Sequence, residues 1–262
     1  MGRVRGVRWT TTVAAALATM LGGLTTPESA EAQRPRFERG PAAYLGLSFV
    51  TADPRGEMGQ LVDRGFGGQI DARLPLDRAG HVRLRGDLGF VVYGHERVRS
   101  CWSLPVGCRI ETDLTTTNSI FYGGLGPELV LTSGAVEPYL YATFGYAWFA
   151  TRSSLGGADE WDDFASTTNY SDGAFAWRGG GGIRVRVSDG RTPVSLDLGL
   201  ERHDNGIVDY LTEGDIQDHP DGSVTLFPNR TEAELLTFRV GVSIGLPRGD
   251  DGDDRRRRRG RR

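Results

Sequence analysis

Apolar and polar residues alternate along eight separate stretches of this chain, and no other feature limits its fold so strongly. Successive side chains of a β-strand point to opposite faces, so alternation predicts a strand with one apolar face. The clearest stretch is the last, where every second residue from Leu236 to Leu246 is apolar. The other seven cover residues 45–49, 66–74, 82–92, 121–131, 136–148, 175–187 and 194–201. We therefore predict an all-β domain of eight strands.

The connections between these stretches alternate in length. Short connections with turn-forming residues occupy residues 76–80, 132–135 and 188–193. Longer ones span roughly residues 51–64, 99–114, 154–173 and 204–232. Strict alternation of short and long connections predicts an antiparallel up-and-down topology in which both chain ends lie on the side of the short turns. Bacterial membrane barrels combine such connections with an even number of strands.

The two ends of the chain differ in composition from its body. Three arginines, an apolar stretch and a Ser29-Ala30-Glu31-Ala32 site predict a cleaved signal peptide over residues 1–32. A membrane anchor is the alternative, but the apolar stretch falls short of the roughly 20 residues that a spanning helix requires. We expect an N-terminal periplasmic segment over residues 33–41, a barrel over 42–246, and a disordered Asp/Arg-rich periplasmic tail over 247–262.

The charge distribution argues against a nucleic-acid-binding core. The whole chain has a formal charge of −3, yet the tail from Arg248 onward carries eight arginines and four aspartates. Positive charge is thus concentrated in a low-complexity end without interleaved aromatic residues, and the body is acidic. We expect no nucleic-acid partner.

The polar faces of the strands distinguish a membrane barrel from a soluble, lipocalin-like one, which also alternates. They mix charges of both signs with glycine, as a narrow eight-stranded interior requires and a soluble exterior does not. We predict that these charges form a paired network that plugs the lumen. Its members are Asp71, Arg73, Arg83, Arg85, Asp87, Glu128, Arg178, Arg184, Arg186, Asp197, Glu201 and Arg239. The fold class predicted is therefore an eight-stranded antiparallel up-and-down transmembrane β-barrel.

Five aromatic residues lie on the apolar parity near the end of their strands that carries the long connections. They are Phe66, Phe121, Trp148, Phe175 and Trp177. Aromatic residues at one height on the lipid-facing side are typical of the girdle at a membrane interface. The alternative is that they are scattered core residues.

The final strand resembles the terminal-strand signal of outer-membrane barrels. Its sequence from Arg239 to Leu246 contains a polar residue, then glycine, then two hydrophobic residues at the spacing of that signal, formed here by Arg239, Gly241, Ile244 and Leu246. With the signal peptide and eight alternating stretches, the chain resembles small outer-membrane barrels of the OmpA/OmpX type over residues 42–246. The resemblance implies recognition by the outer-membrane assembly machinery and pairing of the last strand with the first. Unlike many such barrels, this chain ends the signal on an aliphatic residue and continues.

Candidate chemical sites are few. In an exported protein, Cys101 and Cys108 predict one local disulfide. No metal site or cofactor is predicted, although the acidic stretches 159–163 and 215–221 leave calcium binding open. The four histidines lack the serine two positions on that barrel lipid A deacylases use, so we expect surface histidines and no enzyme.

We therefore expect a non-enzymatic outer-membrane barrel, plugged rather than pore-forming, with extracellular loops and periplasmic termini. Its expected role is structural support and presentation of the loops, whose partner stays unknown. The expected surroundings are outer-membrane lipids and lipopolysaccharide. A lipid-modifying enzyme with its site at the barrel rim and a soluble periplasmic ligand-binding barrel are the alternatives.

Overall fold

A computed structural model describes residues 40–104, 107–156, 163–219 and 223–248 of the chain. The predicted signal peptide, residues 33–39 of the N-terminal segment and residues 249–262 of the tail lie outside the described residues. In chain order the elements are β1 Ala43–Arg55, α1 Met58–Leu61, β2 Gly65–Pro75, β3 Val82–Leu104, β4 Gly107–Val130, β5 Val136–Gly156, β6 Asp163–Ser188, β7 Val194–Tyr210, β8 Ile216–Asp218, β9 Val224–Leu226 and β10 Asn229–Leu246.

Eight of these strands close into one antiparallel barrel in the order β1-β10-β7-β6-β5-β4-β3-β2. Neighbours in the barrel are neighbours in sequence, except that β10 follows β7 across the small β8–β9 sheet and pairs with β1. The closing pair runs from Ala43 opposite Leu246 to Arg55 opposite Glu234. This confirms the predicted eight-stranded up-and-down barrel, with the last strand paired to the first. Closure leaves no sheet edge unpaired.

The two ends of the barrel are built differently. The turn end carries the three short connections β2–β3, β4–β5 and β6–β7, and it also carries the start of β1 and the end of β10. The ribbon end carries the other four connections. One contains α1, whose Met58 is fully buried, and another contains the hairpin of β8 and β9. No helix of the described residues is long and apolar enough to cross a membrane.

The strands at the ribbon end are much longer than the alternation predicts. Residues 99–114 and 154–173 were expected to be loops, but β3 to β6 contain 23, 24, 21 and 26 residues. A strand needs only about 9–11 residues to cross the hydrocarbon core. The remainder continues beyond it, and β4 stays paired with β5 as far as Asp113 opposite Gly156, so only the outermost part of β3 and β4 is two-stranded. We call these extensions the ribbons; they lie outside the hydrocarbon core, where no alternation is required.

Candidate functional site

The outer face of the barrel is an apolar belt. On β10 the side chains of Phe238, Val240, Val242 and Ile244 are between 40% and 48% exposed, whereas Arg239 between them is buried. The same division holds on the other strands, from Leu47 on β1 to Leu198 on β7. Towards the ribbon end the belt stops at the first charged pair on this face, in which Arg202 Nη2 lies 2.6 Å from Glu234 Oε1. From this pair to Leu246 the belt is about as tall as a hydrocarbon core requires.

All five predicted girdle residues face outward on this belt. Phe66, Phe121 and Trp148 are just over half exposed, Trp177 is 43% exposed and Phe175 is 87% exposed. Further outward rings extend the band: Phe49 stacks against Phe66, Phe90 lies against Phe121, and Tyr146 meets Phe175 edge to face. The aromatic residues are thus surface residues near the ribbon end of the belt and are not part of the core.

The barrel lumen, the space enclosed by the eight strands, holds a balanced set of charges. Eleven of the twelve predicted residues are buried there; Arg186 lies at the turn end with its side chain 33% exposed. Glu137, which was not predicted as a lumen residue, is buried beside it and accepts a hydrogen bond from Arg186 at 2.8 Å. We call the following residues the ion-pair network: Arg73, Arg83, Arg85, Arg178, Arg184 and Arg239 with Asp71, Asp87, Glu128, Glu137, Asp197 and Glu201. Six positive and six negative charges give it a formal net charge of zero.

Glu128 is the most heavily shared acceptor of this network. Its carboxylate lies 2.7 Å from Arg184 Nη2, 3.0 Å from Arg85 Nη1 and 3.7 Å from Arg83 Nη1. Towards the ribbon end, Glu201 lies between Arg178 and Arg239 at 3.3 and 3.4 Å. Because every charge has an opposite partner, burial of the set is tolerated in the way that a lone buried charge is not.

Tyrosines and glycines complete the packing of the network. Tyr139 and Tyr141 donate hydrogen bonds to Asp197 and Glu201 at 2.5 and 2.6 Å. The guanidinium of Arg184 stacks over the Tyr139 ring at 3.7 Å. A side chain on Gly182 would meet the Tyr139 hydroxyl at 2.6 Å. These tyrosines were not predicted as lumen residues, although their parity on β5 is opposite to that of the outward Trp148.

An apolar layer lies between the network and the ribbon end. Its members come from seven of the eight barrel strands, all but β2, and from the α1 connection: Val50, Ala52, Met58, Val62, Val91, Tyr93, Ile120, Tyr122, Ala147, Phe149, Ala176, Val208, Tyr210, Ala233 and Leu235. Three rings meet at its centre, with centroids 5.9 to 6.4 Å apart between Tyr93, Phe149 and Tyr210. Charged and apolar side chains therefore occupy successive levels of the lumen.

His203 was expected at the surface, and that expectation is wrong. The side chain is fully buried between the two levels of the lumen, where Nε2 lies 3.4 Å from Glu201 and 3.3 Å from the Thr237 hydroxyl. Its ring meets Tyr122 edge to face at 4.8 Å. The cause is parity, because His203 continues the inward series of Asp197 and Glu201. His81 and His95 are exposed.

The residues of the predicted assembly signal lie on the closing strand. Arg239 belongs to the ion-pair network, and Ile244 and Leu246 face outward. Gly241 packs so closely on β1 that a side chain there would meet the Ser48 hydroxyl at 2.2 Å. The signal therefore coincides with residues that the closed barrel itself requires.

The predicted disulfide and calcium sites fall mainly on parts of the chain that are not described. The backbone places Cys101 opposite Glu111 and Cys108 opposite Ser103, but their side chains lie outside the described residues, so the disulfide stays a prediction. Residues 157–162, which contain most of the acidic stretch 159–163, also lie outside the described residues, so calcium binding there stays open. Asp215 has a structural role, since its Oδ2 accepts hydrogen bonds from the Thr212 backbone and hydroxyl at 2.7 Å.

Comparison with protein families gives one match that covers most of the chain. The model of the outer membrane protein beta-barrel domain matches residues 16–244. No curated protein matches the chain.

Several solved structures are similar to the chain at low sequence identity. Neisserial surface protein A is 16% identical, with 80% of this chain and 100% of that chain covered and a TM-score of 0.43. The attachment invasion locus protein Ail of Yersinia pestis is 10% identical, with coverages of 79% and 98% and a TM-score of 0.41. The outer membrane protein OprG from Pseudomonas aeruginosa is 12% identical, with coverages of 81% and 99% and a TM-score of 0.40.

Proposed function

The chain belongs to the outer membrane protein beta-barrel family, and from that premise we propose that it is a non-enzymatic, plugged scaffold that supports the membrane and presents its ribbons at the cell surface. The observation that carries this proposal is the filled lumen. The neutral ion-pair network and the apolar layer follow each other along the barrel axis. Paired charges and packed rings at these two levels favour a closed lumen over the water-filled path that a porin requires.

The proposal includes an orientation in the outer membrane. Barrels of this kind have short turns on the periplasmic side and longer connections outside. The turn end, with the start of β1 and the end of β10, is then periplasmic, and the ribbon end is extracellular. The uneven connection lengths and the aromatic residues near the ribbon end of the belt support this orientation.

We propose outer-membrane lipids and lipopolysaccharide as the surroundings of the belt, and the outer-membrane assembly machinery as the partner of the last strand. The outward apolar residues support the first proposal, since lipid tails cover such surfaces without exposing them to water. The family to which the chain belongs supports the second.

Conductance tests the plugged state. The purified full chain is inserted into planar lipid bilayers, and we expect no stable channel. Phe149→Ala removes an inward ring of the apolar layer and should raise the frequency of brief leaks, whereas the matched Phe144→Ala removes an outward ring and should not. A steady open conductance of the unchanged protein would overturn the plugged state.

Trypsin tests the orientation, because every basic residue of the chain is arginine. Arg55 and Arg64 flank the α1 connection at the ribbon end, and Arg78 and Arg191 lie in short turns at the other. On intact cells we expect cleavage after arginines of the ribbon end such as Arg55 or Arg64, and none after Arg78 or Arg191. In permeabilised cells we expect cleavage after Arg78 or Arg191 as well. Cleavage in the short turns of intact cells would show the opposite orientation.

A further inference from the structure

A cavity of ≈ 790 Å³ opens at the ribbon end, directly above the apolar layer. Tyr93 and Val62 belong to both, so the layer forms the floor of the cavity. Its walls are the ribbon extensions of β3 to β6, the α1 connection and the β8–β9 hairpin. We call this space the ribbon-end cavity. Its volume lies in the range of about 300–1,000 Å³ that is usual for small-molecule sites.

One wall of the cavity carries uncharged hydrogen-bonding side chains on β4, β5 and β6, together with the apolar Leu114. Thr116 and Ser153 join their hydroxyl groups at 3.0 Å, and Asn169 Nδ2 donates to the Ser153 hydroxyl at 2.6 Å. Thr167 and Thr168 add two more hydroxyl groups to the lining. These groups both donate and accept hydrogen bonds, so the wall matches a ligand that does the same.

Asn118 has a polar group directed into the cavity without a partner. Its side chain is only 6% exposed and lines the cavity. Its Oδ1 accepts a hydrogen bond from Thr151 at 2.7 Å, but its Nδ2 donates to no acceptor among the described residues. The Nδ2 atom itself is exposed to the cavity, so it is available to donate a hydrogen bond to a ligand.

The opposite wall contributes most of the aliphatic groups. They are Leu61 and Val62 in the α1 connection and Ile216, Val224 and Leu226 in the β8–β9 hairpin, beside the polar Asp63, Thr212 and Glu213. These connections join β1 to β2 and β7 to β10, across the barrel from β4 and β5. A ligand in the cavity thus meets hydroxyl and amide groups on one side and aliphatic groups on the other.

The charges around the cavity select against anions. Asp63, Glu96 and Glu213 are exposed carboxylates of the lining, and the described lining residues include no arginine. At physiological ionic strength, exposed charges are screened over about 8 Å, so these carboxylates repel anions at the entrance more than they bind cations inside. The deep contacts are uncharged.

We infer that the ribbon-end cavity binds an uncharged, hydroxyl-rich ligand, a neutral mono- or oligosaccharide. Sugar hydroxyl groups donate to and accept from the β4–β6 wall and satisfy Asn118, while the C–H face of the ring packs on the aliphatic wall. This inference goes beyond the scaffold role, although the proposed orientation would make the ligand one that is met outside the cell.

Titration calorimetry of the purified full chain in phospholipid nanodiscs, which contain no sugar detergent, tests the inference. The probes are maltose and chitobiose as neutral sugars, glucose 6-sulfate as an anion and spermidine as a cation. We expect saturable binding of at least one neutral disaccharide and none of the sulfate. No saturable binding of either neutral sugar up to about 50 mM, where a millimolar Kd is readily seen, would overturn it. Tighter binding of spermidine than of both sugars would also overturn the inference.

Two variants locate the binding. Asn118→Ala and Thr116→Ala should each weaken the Kd about tenfold, the effect of one well-placed hydrogen bond. Thr115→Ala is the matched control, since Thr115 is the adjacent residue of β4 and does not line the cavity. Equal effects of Thr115→Ala and Thr116→Ala would place the sugar elsewhere. Because these assays use purified protein, a wrong orientation or a conducting barrel would leave the binding result intact.

Discussion

Single side chains decide which face of this barrel meets lipid. The lumen contains twelve charges that would be prohibitive if unpaired, and the belt contains none between Arg202 and the turn end of β7. Removing one member of a buried ion pair leaves the other charge without compensation, which costs far more than the loss of an exposed pair. The ion-pair network should therefore be sensitive to changes that the surface tolerates.

Glu128→Gln tests the network at its most shared acceptor. The change leaves Arg85 and Arg184 without their nearest charge, and we expect the free energy of unfolding to fall by about 3–5 kcal/mol. The matched control is Glu234→Gln, which breaks the exposed pair with Arg202 and should cost about 0–1 kcal/mol. Urea titration in lipid vesicles measures both. Equal losses would mean that the lumen is hydrated enough to screen its charges.

Val242→Arg tests the belt. Val242 faces outward on β10, and an arginine near the middle of a bilayer destabilises a barrel by about 2–4 kcal/mol. Val224→Arg makes the same change in the β8–β9 hairpin and should alter the free energy of unfolding by less than about 0.5 kcal/mol. If both variants unfolded like the unchanged protein in bilayers, the lipid-facing assignment of Val242 would be wrong.

At the level of elements, the strands of the belt were predictable from the sequence, whereas their extensions into the ribbons were not. Alternation is required only where one face meets lipid, as from Leu236 to Leu246. In β4 before Ser119, the run Thr115-Thr116-Thr117-Asn118 is polar at every position, so nothing in it distinguishes strand from loop. A bulge between Val92 and Gly94 also shifts the parity of β3. Inward apolar residues such as Val91 and Phe149 were missed because lumen positions were expected to be polar.

One ribbon is held by a carboxylate that responds to pH. Asp113 on β4 accepts hydrogen bonds from Arg97 at 2.6 Å and Arg99 at 3.1 Å, and these bonds hold the pKa of Asp113 below its ordinary value. A lowered folded-state pKa stabilises the fold above the unfolded-state pKa of about 3.9, and the stabilisation is lost as the pH falls through the folded-state value.

We therefore expect amide protection in the outer β3–β4 ribbon to fall as the pH is lowered from about 6 to about 3, after correction for intrinsic exchange. Asp113→Asn should remove this pH dependence. Asp209→Asn, which affects the Arg230 pair on the β7–β10 side, should leave the β3–β4 ribbon unchanged. If the pH dependence persisted in Asp113→Asn, another titrating group would be its cause.

The whole molecule divides along its axis into three levels with different chemistry inside one closed sheet. The ion-pair network fills the turn end, the apolar layer closes the lumen above it, and the ribbon-end cavity opens beyond the belt. Family and topology were predictable because lipid imposes a simple pattern on every strand. The cavity was not predictable, because it depends on how separate connections meet at the ribbon end. No local pattern in the sequence indicates that arrangement.

The central claim is that outward apolar residues contact lipid while the alternate residues fill the lumen. A nitroxide scan along β5 tests it directly, with single cysteines at successive positions from Pro138 to Trp148 in a Cys101→Ser, Cys108→Ser background, in bilayers. Accessibility to oxygen, which concentrates in lipid, should alternate with a period of two and peak at even positions such as Leu140 and Phe144. Peaks at odd positions such as Thr143, or no alternation among folded variants, would contradict the account.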